Sequence, residues 1–175
     1  MSVAPEDIET LHAQLGRVPR GVVAVAARCV CGNPTVVKTA PRLPEGTPFP
    51  TLDYLTHPGA VAAASTLEAT GTMREFQLRL GEDEALAAAY LAAHERYLAE
   101  RYAIEDVAEI HGISAGGMPD RVKCLHVLVG NSLAAGPGVN PLGDEALALM
   151  AATWRPDRCT CETPATGNAA AASDS

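Results

Sequence analysis

Apolar residues recur at helical spacing through Ile8, Leu11 and Leu15, with acids in the first turn, and predict a short amphipathic helix over residues 5–17. Gly16 and Pro19 end it. Residues 21–29 switch to a β-rich apolar run, Val22-Val23-Ala24-Val25-Ala26-Ala27. The turn Cys31-Gly32-Asn33-Pro34 follows, then Thr35-Val36-Val37-Lys38, so the pattern predicts two antiparallel strands. Four prolines in residues 41–50 impose an irregular, stiff stretch. Leu52-Asp53-Tyr54-Leu55 can form a third strand. Pro58 suits the first turn of a helix over residues 58–69, capped near Thr56 or His57. A second helical piece, 72–80, is split from it by Gly71. Residues 82–102 carry Leu86, Tyr90, Ala93, Tyr97 and Leu98 on one face and predict the longest helix. A further helix is expected over 119–135, with Val122, Leu125, Val129 and Leu133 as its core stripe, and a last one over 143–152.

The sum is an α+β protein: a small N-terminal antiparallel sheet packed with several helices. A single domain is expected over residues 1–162. Residues 163–175 are mostly Ala, Thr, Gly and Ser, and composition predicts a disordered tail. Length and composition agree with this reading. The chain has 175 residues and is 47% hydrophobic but only 4% aromatic, so alanine, valine and leucine must build the core.

Charge narrows the partners. The formal net charge is -8, and residues 68–109 hold ten acids against four arginines. An acidic chain lacks the basic surface that a general nucleic-acid grip requires. No run of about 18 apolar residues is present to span a membrane, and the acidic start has no apolar signal region. A cytoplasmic protein is expected. In that compartment an odd cysteine count argues for metal, redox or plain burial over a disulfide framework.

The candidate chemistry is concentrated in five cysteines. Two form Cys29-Val30-Cys31, two form Cys159-Thr160-Cys161, and one lies in Lys123-Cys124-Leu125-His126. A basic residue precedes each cluster: Arg28, Lys123 and Arg158. Residues i and i+2 of an extended strand point to one side, so Cys29 and Cys31 can converge on an ion. The plainer reading is one buried and one exposed cysteine. Cys159 and Cys161 can complete an all-cysteine site with them. On a regular helix Cys124 and His126 would point about 200° apart, and a core histidine is the plainer role for His126. The turn at Gly116 and Gly117, followed by Arg121 and Lys123, offers a second idea. Feeding a helix N-terminus, it would supply backbone N–H groups and positive charge for an anion. The plainer reading there is an ordinary helix start.

Several stretches resemble a bacterial family catalogued as domain of unknown function 501, common in actinobacteria. They include Gly46-Thr47-Pro48-Phe49-Pro50-Thr51, Leu55-Thr56-His57-Pro58, Arg121-Val122-Lys123-Cys124-Leu125-His126 and the run from Gly136 to Asp144. The resemblance spans about residues 20–150. Members often carry a cysteine where this chain has His57 and a histidine where it has Asn131. Cysteine-to-histidine is a swap between metal ligands. The resemblance therefore implies a ligand set of Cys29, His57, Cys124 and His126, with Cys31, Cys159 and Cys161 as further candidates.

The expected function is a metal centre, zinc or an iron–sulfur cluster, in a structural or regulatory protein. Mixed Cys/His ligation without a Cys-x-x-Cys run favours zinc. The alternative is an enzyme that holds a phosphate or carboxylate at Gly116, Gly117, Arg121 and Lys123 and uses Cys124 or His126 for chemistry. A third option is a metal-free scaffold that engages a protein partner through its acidic helices.

Overall fold

A computed structural model of the protein describes residues 3–162. Among these, three strands form one antiparallel sheet of order β1-β2-β3, with β1 at Val22–Arg28, β2 at Pro34–Thr39 and β3 at Asp53–Leu55. β2 is central: Val37 faces Val25 on one side and Tyr54 on the other. Its Pro34 stands at the first position, where the missing N–H costs no central ladder bond. β2 is buried on both faces. Val36 joins the main hydrophobic cluster, whereas Val37 lies with Leu15 at the end of helix α1, Pro5–Leu15.

Helix α2, Pro58–Ala69, starts where the sequence predicts, and His57 is its cap: the ring Nδ1 accepts from the backbone N–H of Gly59 and Ala60. Helix α3 runs Thr72–Glu82 and α4 runs Glu84–Ile104. The break falls at Asp83, whose carboxylate accepts from the Leu86 N–H at 3.0 Å, so the acidic run caps α4 where the periodicity alone would have begun the helix at residue 82.

The expected helix over residues 119–135 is shorter. Helix α5 occupies Leu125–Ala135. Backbone groups just before it are committed elsewhere. Gln77 donates to the Asp120 carbonyl and accepts from the Val122 N–H, and the Tyr90 hydroxyl donates to the Arg121 carbonyl. The Arg121 and Lys123 N–H groups turn back to the carbonyls of Gly117 and Gly116. These bonds replace the helical ladder there. The last helix, α6, spans Pro141–Met150, beginning earlier than expected because Pro141 fits its first turn and the Asn140 side chain caps the Gly143 N–H.

Helix α5 is the hub, lying against β3, α2 and α6. Glycines make the approach close. A Cβ on Gly130 would stand 2.7 Å from the Asp53 carbonyl oxygen, and one on Gly143 would strike the Leu128 carbonyl. A buried polar chain crosses the same contact. Asn140 donates to Asn131, Asn131 donates to Asp53, and Lys38 bridges Asp53 and Glu100. Asn131 thus pairs with a carboxylate inside the fold, which satisfies polar groups that would otherwise be costly to bury. No helix among the described residues is long and apolar enough to cross a membrane. The expected tail, 163–175, lies outside the described residues.

Candidate metal centre

β1 ends at Arg28, one residue before the first cysteine. Cys29 and Cys31 therefore sit in the β1–β2 turn, and the turn, not strand alternation, makes them converge. Its backbone closes twice: the Gly32 N–H donates to the Cys29 carbonyl at 2.8 Å, and the Cys29 N–H donates to the Asn33 carbonyl at 2.8 Å. Gly32 adopts φ 98, a conformation open to glycine at little cost. The Arg28 guanidinium braces the turn from outside, donating to both Asp7 oxygens at 2.7 and 2.8 Å and to the Gly32 carbonyl at 2.9 Å. Arg28 is thus committed to a carboxylate and a carbonyl.

After α6 the chain passes Trp154 and reaches the same turn. The sulfurs of Cys29, Cys31, Cys159 and Cys161 all lie within 4.8 Å of one another. Cys31 Sγ and Cys161 Sγ are 3.6 Å apart. Zinc–sulfur bonds of about 2.3 Å place the corners of a tetrahedron about 3.8 Å apart, so the four thiols fit one ion. Cys29 and Cys31 are only 4% and 6% exposed, while Cys159 and Cys161 are half-buried, so the cluster is enclosed from the side of the β1–β2 turn. All five cysteines are free thiols.

Electrostatics support thiolate only when a cation arrives. Burial pushes the Cys29 and Cys161 thiols above the ordinary range, and the Cys31 side chain pushes both further, while the Cys161 side chain lowers Cys29. Opposing this, the Cys29 sulfur accepts from the Cys31 backbone N–H, and the Asn33 side chain hydrogen-bonds Cys161. Four like thiolates this close repel one another, and a divalent cation removes that repulsion.

His57 stands beside this cluster but outside its donor set. Its Nε2 is 3.2 Å from Cys161 Sγ, while its Nδ1 accepts from Gly59 N at 3.1 Å and Ala60 N at 3.4 Å. Burial lowers its pKa, which favours the neutral ring. A neutral imidazole whose Nδ1 faces two donors carries its proton on Nε2. That nitrogen donates to the Cys161 sulfur and has no lone pair for a metal. The ring is held by Trp154, with centroids 5.4 Å apart. Gly59 makes room for this seam: a Cβ there would meet Trp154 at 2.9 Å and Thr160 at 3.0 Å.

The expected combination of Cys29, His57, Cys124 and His126 is therefore not gathered into one site. Cys124 is the cap residue of α5, in extended conformation, and lies with His126 and Glu68 instead. The 200° separation does not apply, because Cys124 precedes the helix; its sulfur is 3.8 Å from His126 Nδ1. Glu68 Oε1 accepts from the Leu125 N–H at 2.7 Å and lies 3.0 Å from the same ring nitrogen. His126 Nε2 meets Ser65 Oγ at 3.1 Å. The His126 pKa is pushed up to about 9, first by Cys124, with burial opposing and Glu68 adding.

The anion site expected at Gly116, Gly117, Arg121 and Lys123 loses its helix N-terminus, since α5 begins at Leu125. A Cβ on Gly117 would face the Arg121 carbonyl oxygen at 2.8 Å, which is an acceptor and repels an anion. Arg121 and Lys123 point into solvent as exposed residues.

The pattern that resembled a known family extends through this architecture. Residues 25–148 match the model of a family described as a protein of unknown function (DUF501). The chain belongs to that family. No curated protein matches the chain, and no solved structure does. The family match holds Cys29, Cys31, His57, Cys124 and His126 but ends before Cys159 and Cys161, so half of the four-cysteine cluster lies beyond it. Asn33, Glu68 and Trp154 escaped sequence reasoning. Asn33 offered a faint signal as part of the turn beside Cys31; Glu68 is one acid among many on the helices.

Proposed function

We propose that the protein is a structural zinc protein whose ion is held by Cys29, Cys31, Cys159 and Cys161. The observation that carries this reading is the convergence of four thiols from two distant segments, each pair presented by its own Cys-x-Cys, within 4.8 Å. So tight a set suits a mononuclear ion, because the several irons of a cluster would hold their thiolates further apart. Tetrahedral all-sulfur ligation with a donor set of this size is characteristic of zinc. The ion would clasp the segment after α6 to the β1–β2 turn, while His57 and Asn33 hydrogen-bond Cys161 and set its orientation.

The test is metal analysis of anaerobically purified protein and of single Cys→Ser variants. Serine at any one of positions 29, 31, 159 or 161 should remove one equivalent of zinc from a colourless protein. Brown protein containing iron and sulfide, or zinc content untouched by those four substitutions, would overturn the assignment.

A further inference from the structure

A second cluster of metal-ligating side chains, with one cysteine, is separate from the four-cysteine set and offers a different coordination chemistry. Cys124 Sγ, His126 Nδ1 and a Glu68 carboxylate oxygen lie within 4.8 Å of one another. They come from the cap and first turn of α5 and from the end of α2. The Nδ1 to Oε1 distance is 3.0 Å and the Nδ1 to sulfur distance is 3.8 Å. Zinc bonds of about 2.0–2.3 Å to N, O and S require edges of about 3.3–3.6 Å, so the two edges at the imidazole need adjustments of only a few tenths of an ångström to seat an ion.

The groups behind the trio are arranged for this role. Ser65 Oγ lies 3.1 Å from His126 Nε2, so it can accept a hydrogen bond from Nε2–H and leave the Nδ1 lone pair toward the ion. The Leu125 backbone N–H fixes the Glu68 carboxylate at 2.7 Å. Cys124 and His126 also line a cleft of about 600 Å³ whose walls include Leu15, Phe49, Tyr54 and Val61. Three protein ligands with the remaining position on a cleft match an open zinc site, in contrast to the closed four-cysteine set.

We propose that Glu68, Cys124 and His126 form a second, open zinc site, and that its fourth position takes water or an oxygen or sulfur donor of a largely apolar small molecule seated in the cleft. The alternative arrangement of the same atoms is a His126–Glu68 ion pair with a neighbouring thiol.

Anaerobic cobalt titration, followed by visible absorption and elemental analysis, separates the two. Wild-type protein should take two ions per chain. Cys124→Ser should take one and keep the four-thiolate spectrum. Cys31→Ser should also retain one ion, now with the weaker charge-transfer band of a single thiolate. Mercaptoethanol should perturb only the spectrum of that retained ion, since its site alone has an open position. If Cys124→Ser unfolds by circular dichroism, Glu68→Gln replaces it and should weaken the second ion at least tenfold. One ion per wild-type chain, unchanged in Cys124→Ser or Glu68→Gln, would overturn the second site while leaving the four-cysteine assignment intact. One ion that survives Cys31→Ser and is lost in Cys124→Ser would uphold the second site and overturn the first.

Discussion

His57 shows how a single proton decides a residue's role. Two backbone donors at Nδ1 place the proton on Nε2, and Nε2 faces Cys161. With zinc bound as proposed, the ring would support the Cys161 thiolate without joining the ion's ligands. His57→Ala should weaken zinc about 10–100-fold without changing the number of ions bound, as measured by competition with a chelator of known affinity. It should also remove the α2 cap, worth about 1 kcal/mol. Asp53 gives a second residue-scale prediction. Burial raises its pKa, against Lys38 and Asn131, which lower it. A carboxyl raised in the fold favours folding fully below its unfolded value and loses that contribution as pH rises through the folded value. Denaturant titrations of wild type and Asp53→Asn should therefore diverge in favour of the asparagine variant as pH climbs from below about 3.9. A stability difference flat with pH would contradict this sign.

At the scale of elements, the site depends on turns and crossings more than on the helices that the periodicity displays. The two Cys-x-Cys pairs were legible because cysteine spacing survives any error in secondary structure. The grouping of Cys124 with His126 and Glu68 was not, because a helix start six residues too early turned Cys124 and His126 to opposite faces. The bonds that stop that helix come from Gln77 and Tyr90, distant in sequence and invisible to local periodicity. Likewise, Cys29 and Cys31 converge through a turn fixed by Gly32, Asn33 and Arg28. Glycine positions test the crossings. Gly59→Ala should push against Trp154 and Thr160, costing about 1–3 kcal/mol and weakening zinc, because its Cβ lands in the seam that carries Cys159 and Cys161. Gly81→Ala in α3 meets nothing within 4 Å and should stabilise by about 0.5–1 kcal/mol, which makes it a control for the substitution itself. Comparable destabilisation in both, read by urea unfolding, would show that the seam has no special tightness.

At the scale of the whole molecule, the ion would act as a clasp on a fold that already has a core. The main hydrophobic cluster runs from Val36 on β2 through α2, α4, α5 and α6 to Trp154. The α+β architecture was legible because strands at 22–39 and the long α4 carry strong patterns. The closure of the chain's far end onto its first hairpin was not, since no local signal records a contact between residues about 130 apart. Removing zinc should leave this core folded and loosen residues 151–162. Hydrogen exchange should speed up there and in the 29–33 turn, with little change in α5. At free zinc 1,000-fold above Kd, binding adds about 4 kcal/mol to stability, and a chelator should remove it. Uniformly faster exchange across α5 would instead mean that the ion is required for the core itself.

The most direct measurement of the central claim is the zinc content of Cys124→Ser protein, alone and combined with Cys31→Ser. The single variant isolates the four-cysteine site. It should hold one zinc per chain, and adding Cys31→Ser should reduce this to none while circular dichroism stays helical. A Cys124→Ser protein without metal, or one whose zinc survives Cys31→Ser, would contradict a four-cysteine zinc clasp.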